Sequence, residues 1–336
     1  MKSALIYGLR FVLTAAMLAW LTTQVDLGSV VGVIAAANPL WLLIGVCVNL
    51  FSIVCASWRW QQLLLGLGFR IPLMRLLRLV LSGAFFNMFL PSSVGGDVMK
   101  MVLVAPDLEQ REAAVASVLM DRVVGLAVTI GVGLVAVLLL PSVWSNAPLL
   151  ISLGLALLVF TIGAIAMFSR PLIELAAQLA PGFVWRWVGP PVLKIHGALV
   201  LMAGRRDLLA RAAAISVLRQ FAICLSVYCA GLGFGLELGP IAYFATVPIA
   251  VAITALPIAI NGLGLQDNAL LLLLGGFGLT AAQTLSLSVF LHALRNGTGL
   301  LGGVVFALTR RRNAPALAAE PAQAPVEVHA QKAELS

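Results

Sequence analysis

In a chain that is 61% apolar and only 10% charged, every charged side chain inside an apolar run needs a chemical reason. Asp97 and Lys100 are three residues apart in FFNMFLPSSVGGDVMK (85–100), so they share a face if a helix starts there. Asp121 and Arg122 are adjacent in LMDRVVGL, point to different sides of a helix and need different partners. Arg219, Glu237 and Asp267 stand in apolar surroundings, and His292 and Arg295 are again three apart. Each such charge costs roughly 3 kcal/mol at the centre of a membrane helix. Five or more without partners would cost on the order of 10 kcal/mol, comparable to the net stability of many proteins. These groups are therefore expected to pair, to lie near an interface or to face water. Their chemistry is the holding of charge: a countercharge, a charged headgroup or, for His292, a proton, although packing is the plainer reading of a lone histidine.

Bond-making signatures are lacking. The sequence holds no paired acidic metal motif, no Walker-type loop and no histidine cluster, and GLGLQ is a weak glycine-rich match that follows no strand. We expect no catalytic residue, no metal and no cofactor. Cys47, Cys55, Cys224 and Cys229 all lie in apolar runs and read as small buried residues.

The charges sit beside unusual backbone signals. Pro91 has no amide donor and ends a helix, while Gly95 and Gly96 permit conformations closed to other residues. A broken helix at membrane depth is tolerated only where protein buries it or it lines a wet cavity. An ordinary cytoplasmic turn is the alternative, but the apolar run before Pro91 is short for a crossing. A second segment, LPIAINGLGLQDNALL (256–271), has the same order: Leu-Pro, then Asn261, Gly262 and Gly264, then Asp267. Paired interrupted segments of opposite sense point to a transporter site near the midplane; coincidence among common residues is the rival. The candidate binding residues are Asn87, Pro91, Gly95, Gly96, Asp97, Lys100, Asp121, Arg122, Asn261, Gly262, Gly264, Asp267 and Arg295.

The elements that must position them are transmembrane helices. No soluble core of 336 residues could bury this much apolar surface. We expect an all-α polytopic membrane bundle with about eight crossings, a re-entrant Pro/Gly-broken hairpin and inverted pseudo-repeats. The crossings fall near Ala4–Thr22, Pro39–Ser57, Ala113–Leu140, the run ending at Phe168, Ala212–Leu236, Ile241–Ile260, Leu265–Leu279 and Ala281–Leu308. Arg59, Arg70, Arg75 and Arg78 read as one basic cytoplasmic stretch, and Ser169–Arg211 as amphipathic surface helices. Residues 1–309 form the membrane domain, and 310–336 a disordered cytoplasmic tail. Basic loops place both termini in the cytoplasm and Gln24–Asn38, Pro141–Pro148 and Glu237–Pro240 outside. The net charge of +8 fits anionic lipid headgroups rather than nucleic acid.

FLPSSVGGDVMK, SVLMDRVVGL, ALPIAINGLGLQDNALL and AAQTLSLSVFLHALRNGTGLLGG, in this order, resemble the flippase-like membrane domain of lysylphosphatidylglycerol synthetase and its stand-alone relatives. The resemblance implies a bacterial inner-membrane protein with re-entrant elements that moves lipids or lipid-linked products between leaflets. It places the family's motifs on Pro91, Gly95, Gly96 and Asp97, on Asp121 and Arg122, on Pro257, Gly262, Gly264 and Asp267, and on Arg295. Gln266-Asp267 stands where the family often has Arg-Glu, which removes a positive charge there. No aminoacyl-transfer domain accompanies the motifs, so lipid aminoacylation is not expected. The headgroup, anionic or amino, would sit in a polar cavity between the two hairpins, with helix N-termini at Gly96 and Gly264 offering N–H groups. The alternative is an accessory subunit presenting lipid to a separate lipid-modifying transferase. Oligomerisation is compatible with either.

Overall fold

The computed structural model describes residues 17, 19–20, 23, 26–89, 95–108, 111–139, 141, 144, 147–179, 182–254 and 263–318. The described elements are helical: α1 (Leu27–Ala35), α2 (Pro39–Gly66), α3 (Leu73–Phe89), α4 (Gly95–Val104), α5 (Arg111–Leu139), α6 (Ala147–Phe168), α7 (Arg170–Leu179), α8 (Gly182–Gly204), α9 (Arg206–Gly233), α10 (Pro240–Thr254), α11 (Leu265–Gly275) and α12 (Ala281–Ala318). A 3-10 turn, Ala105–Asp107, follows α4.

Local sequence sets the helix ends. Asn38 caps α2 by accepting the Leu40 N–H at 3.0 Å, with Pro39 at the first helical position, where its missing donor costs nothing. Asp26 caps α1 by accepting the Ser29 N–H at 3.0 Å. The Ser29 hydroxyl and the neighbouring N–H groups hold the Asp26 carboxyl below its usual range.

Five helices are long and apolar enough to span a bilayer: Pro39–Gly66, Arg111–Leu139, Leu149–Phe168, Arg206–Gly233 and Ala281–Thr309. Their apolar windows are only 11–39% buried. Large side chains such as Leu139, Ile151, Leu158 and Leu300 point outward. This inverts the pattern of a soluble bundle and requires lipid around the molecule. The expected first crossing, Ala4–Thr22, lies almost wholly outside the described residues. The crossings expected at Ile241–Ile260 and Leu265–Leu279 contain short helices instead. The 11 residues of α11 extend only about 16 Å at 1.5 Å per residue, half of a hydrocarbon core of about 30 Å.

Two expectations shift at element ends. The second crossing does not stop at Ser57; α2 continues to Gly66 and carries Arg59 inside it. The last helix continues past residue 309 to Ala318, and residues 319–336 lie outside the described set.

The largest core joins α5, α6, α9, α10, α11 and α12 through Ile130, Leu153, Val227, Tyr243, Ile249, Leu273 and Leu287. A second surrounds Trp60, Leu64, Leu76, Leu79, Val104 and Val118, seating the α3–α4 hairpin against α2 and α5. A third packs Leu199 and Met202 of α8 on Ala116 and Met120 of α5, so α8 joins the bundle rather than only lying on the membrane surface.

Glycine permits the closest approach. A Cβ at Gly83 of α3 would lie 2.9 Å from the Gly96 carbonyl oxygen of α4, and one at Gly96 would meet the Gly83 carbonyl. The two arms of the first hairpin therefore touch backbone to backbone.

Candidate functional site

Arg59 on α2, Asp97 and Lys100 on α4, Asp121 and Arg122 on α5, and Arg219 on α9 converge. Asp121 is ten residues from Arg111, about 15 Å along α5, so the cluster lies within the bilayer's depth. The Arg59 Nε–H donates to Asp121 at 2.7 Å, with side chains 7% and 8% exposed. Lys100 Nζ bridges two carboxylates, 3.0 Å from Asp97 and 3.6 Å from Asp121. Arg122 Nε donates to the other oxygen of Asp97. The adjacent residues Asp121 and Arg122 thus take partners on different elements.

Neighbouring side chains shape this network. Arg59 also donates to Ser216 at 3.3 Å. Trp60 donates to Ser117 at 3.1 Å and sets its ring 5.2 Å from Lys100 Nζ, a cation–π contact. A Cβ at Gly125 would stand 2.7 Å from an Arg59 guanidinium nitrogen, so glycine one turn beyond Asp121 provides room for Arg59. Arg219 is within electrostatic reach of Arg59 and Asp121. Its buried Nε has no hydrogen-bond partner among the described residues. Arg59, Lys100, Arg122 and Arg219 bring four positive charges against two from Asp97 and Asp121, an excess of two among the described residues. A low-dielectric site with surplus cations favours an anion.

A second cluster lies on the later glycine segment. Gly264 has φ +74°, a left-handed conformation that favours glycine, and starts α11. Asp267 turns back and accepts the Gly264 N–H at 2.8 Å. Its other oxygen accepts the Ser288 hydroxyl and faces His292 Nε2 at 2.7 Å. His292 Nδ1 in turn lies 2.7 Å from Arg295 Nη2. The i, i+3 spacing aligns His292 and Arg295 on α12, as Asp97 and Lys100 align on α4.

A cavity of about 480 Å³ opens beside the first cluster between α5 and α6, reached by the end of α10 and the start of α11. Leu126, Ile130, Leu155, Val159 and Phe160 form its walls, with Ile253 and Leu265 from α10 and α11. Arg122 is the one charged side chain among the described lining residues. The groove is apolar with one cationic end, whereas the polar chamber expected between the hairpins falls on loops that lie mostly outside the described residues. The groove's sides come from α5 and α6, which bring Arg122 and Ser152 among otherwise apolar side chains.

Two more expectations change. The Gly96 N–H is donated to Asn87 Oδ1 and the Gly264 N–H to Asp267, so neither is available for a phosphate. Hydrogen-bond saturation, which favours internal partners at membrane depth, explains both. Arg59 was expected in a cytoplasmic loop and is instead a buried member of the network. Of the remaining candidates, Gly95 is buried at the start of α4. Pro91, Asn261 and Gly262 lie outside the described residues, as do most of the two loops expected to meet at the midplane. Sequence reasoning missed Arg59 and Gly125. Arg59 follows Trp58 at the end of an uninterrupted apolar run, which is a signal of helix continuation; Gly125 carries none.

A family model for the lysylphosphatidylglycerol synthase transmembrane region matches residues 6–303. The chain belongs to that family. No curated protein matches it significantly. The matched span contains both ion clusters, so in this member of the lysylphosphatidylglycerol synthase transmembrane family the charged machinery lies within the family domain.

Proposed function

We propose that this inner-membrane protein moves a phospholipid or lipid-linked product between leaflets, binding its phosphate at Arg122 and an acyl chain in the adjoining groove. One observation carries the reading: Arg122 belongs both to a cation-rich buried network and to an otherwise apolar groove of about 480 Å³. That combination matches an amphipathic anion, with a charged head and an apolar tail, and the volume is in the range of ligand pockets. A solute lacking an apolar part would leave the groove walls without a ligand to cover them.

Loading proceeds by exchange. A guanidinium fits phosphate as well as carboxylate, so an incoming headgroup takes Arg122 from Asp97. Lys100 stays with Asp97 and keeps that carboxylate neutralised. One ion pair is traded for another, and the surplus positive charge of the cluster favours the loaded state. The protein carries out no covalent chemistry in this reading.

The test is reconstitution of the full chain in phosphatidylethanolamine–phosphatidylglycerol vesicles holding fluorescent phosphatidylglycerol, with dithionite quenching of the outer leaflet. The wild type exchanges probe between leaflets. Arg122→Gln and Asp97→Asn each slow exchange at least about tenfold, equivalent to roughly 1.4 kcal/mol on the barrier, while remaining folded. Wild-type exchange by both folded variants would remove Arg122 from the transport path. Binding of the probe without exchange would leave presentation to a separate lipid-modifying enzyme as the function.

A further inference from the structure

The second cluster holds a hydrogen-bond order that admits only one protonation pattern. An arginine guanidinium has donors and no acceptor. At 2.7 Å from Arg295 Nη2, His292 Nδ1 must therefore be the acceptor and carry no proton. The remaining ring nitrogen, Nε2, then bears the hydrogen and donates it to Asp267 at 2.7 Å. Asp267 also accepts from the Ser288 hydroxyl and the Gly264 N–H. With three donors converging on it, Asp267 serves as a carboxylate, and His292 is a neutral imidazole between an anion and a cation.

A proton added to His292 can go only to Nδ1. The hydrogen bond from Arg295 is lost, and an N–H and two positive charges then oppose each other across that gap. The imidazolium keeps its bond to Asp267, so Arg295 is the group that must move. We propose that His292 is a proton-binding site whose protonation expels Arg295 and turns its guanidinium toward a phosphate-type anion. One proton binds from water, the hydrogen bond from Arg295 to His292 breaks, and the guanidinium turns to the ligand. Histidine is the side chain whose charge changes most readily between pH 5 and 8. As a proton site the cluster stands without the lipid reading; as an energy source, coupling a proton gradient to headgroup movement, it rests on that reading.

Among the described residues few other charges face this switch. The charged residue that α11 brings is Asp267, and α1 has none along its length. Near Phe290, α9 and α2 meet α12 at Ser226 and Gly45, with Arg219 and Arg59 at least a full turn further along their helices. The third helix meets α12 through Leu81, Phe85 and Met88 against Gly302, Gly303 and Gly299, and its Arg75 and Arg78 lie at its opposite end. His292 is partly buried, its side chain 18% exposed, and the Asp267 side chain is 4% exposed.

The experiment reads the ring directly. Full-length protein labelled with ¹⁵N-histidine, in a His196→Gln, His329→Gln background, leaves His292 as the one labelled ring. At alkaline pH in neutral nanodiscs it should show the Nε2-protonated neutral tautomer, converting to imidazolium on acidification. Arg295→Gln removes the cation opposing protonation, so the midpoint should rise by about one pH unit, a tenfold gain in proton affinity. An Nδ1-protonated tautomer in the Arg295-containing protein, or an unchanged midpoint in Arg295→Gln, would overturn the proposal. Adding an anion should raise the midpoint by linkage. A rise with inorganic phosphate in neutral discs identifies a soluble phosphate ligand; a rise only with phosphatidylglycerol discs identifies a lipid headgroup. A rise with neither overturns the anion half of the proposal. Because no arm measures transport, failure here is distinguishable from failure of the translocation reading.

Discussion

At the scale of single residues, the network depends on groups that look ordinary. Gly125 has no side chain, yet its missing Cβ is what lets the Arg59 guanidinium reach Asp121. Asp121→Ala would leave Arg59 buried without its carboxylate and should cost about 3–5 kcal/mol, the usual loss when one partner of a buried pair is removed. Gly125→Ala should cost part of that by displacing Arg59, and it should add little further loss once Asp121→Ala has already removed the pair. Thermal unfolding in detergent, comparing both single variants with the double, checks this; full additivity of the two losses would separate Gly125 from the pair. The sequence makes Asp97, Lys100, Asp121 and Arg122 legible because a charge in an apolar run stands out by its cost. It hides Arg59, which stands among arginines that read as a loop, because only tertiary packing reveals that α2 continues through it. The histidine–arginine spacing is legible as a shared face, but not the contact with Asp267 from another helix.

At the scale of elements, the first hairpin is fastened along a seam of backbone. Gly83 and Gly96 bring α3 and α4 into contact, and Asn87 on α3 holds the Gly96 N–H. On its other side α3 meets α12 at glycines, where a Cβ at Gly303 would lie 2.6 Å from the Phe85 ring. Gly96→Val has no room for its side chain and should part the hairpin, bringing Asp97 and Lys100 away from α5. Amide hydrogen exchange of α4 in nanodiscs should then rise at least about tenfold, while α6, which lies apart from the seam, should keep its protection. Equal acceleration in both helices would mean global destabilisation instead. The break in this segment is visible in the sequence through its proline and glycines. That Gly83 and Gly96 meet in an interhelical contact is not, since close contact and anion binding call for the same residue.

For the whole molecule, lipid does what a core does in a soluble protein, and the outward-facing leucines and isoleucines follow from that. Composition alone makes this legible; the short length of α11 is not, because an apolar half-helix and an apolar crossing have the same letters. Orientation is open to test with a variant whose four native cysteines are replaced. The excess of basic residues in Ser169–Arg211 predicts that Ala36→Cys is labelled by an impermeant maleimide from outside intact cells and Arg186→Cys is not. Labelling of Arg186→Cys alone would reverse the molecule.

The surplus charge of the first cluster has an electrical consequence. A membrane at rest holds a voltage across the same insulating layer that contains Asp121, and a unit charge carried through 100 mV exchanges about 2.3 kcal/mol with it. An anion seated at Arg122 has crossed only part of that drop. The work is then on the order of 1 kcal/mol, enough to change its occupancy several-fold. If the groove holds a charged headgroup as proposed, its residence there is set by the cell's potential as well as by its contacts, and de-energising the membrane would alter how full the groove is without touching a single residue.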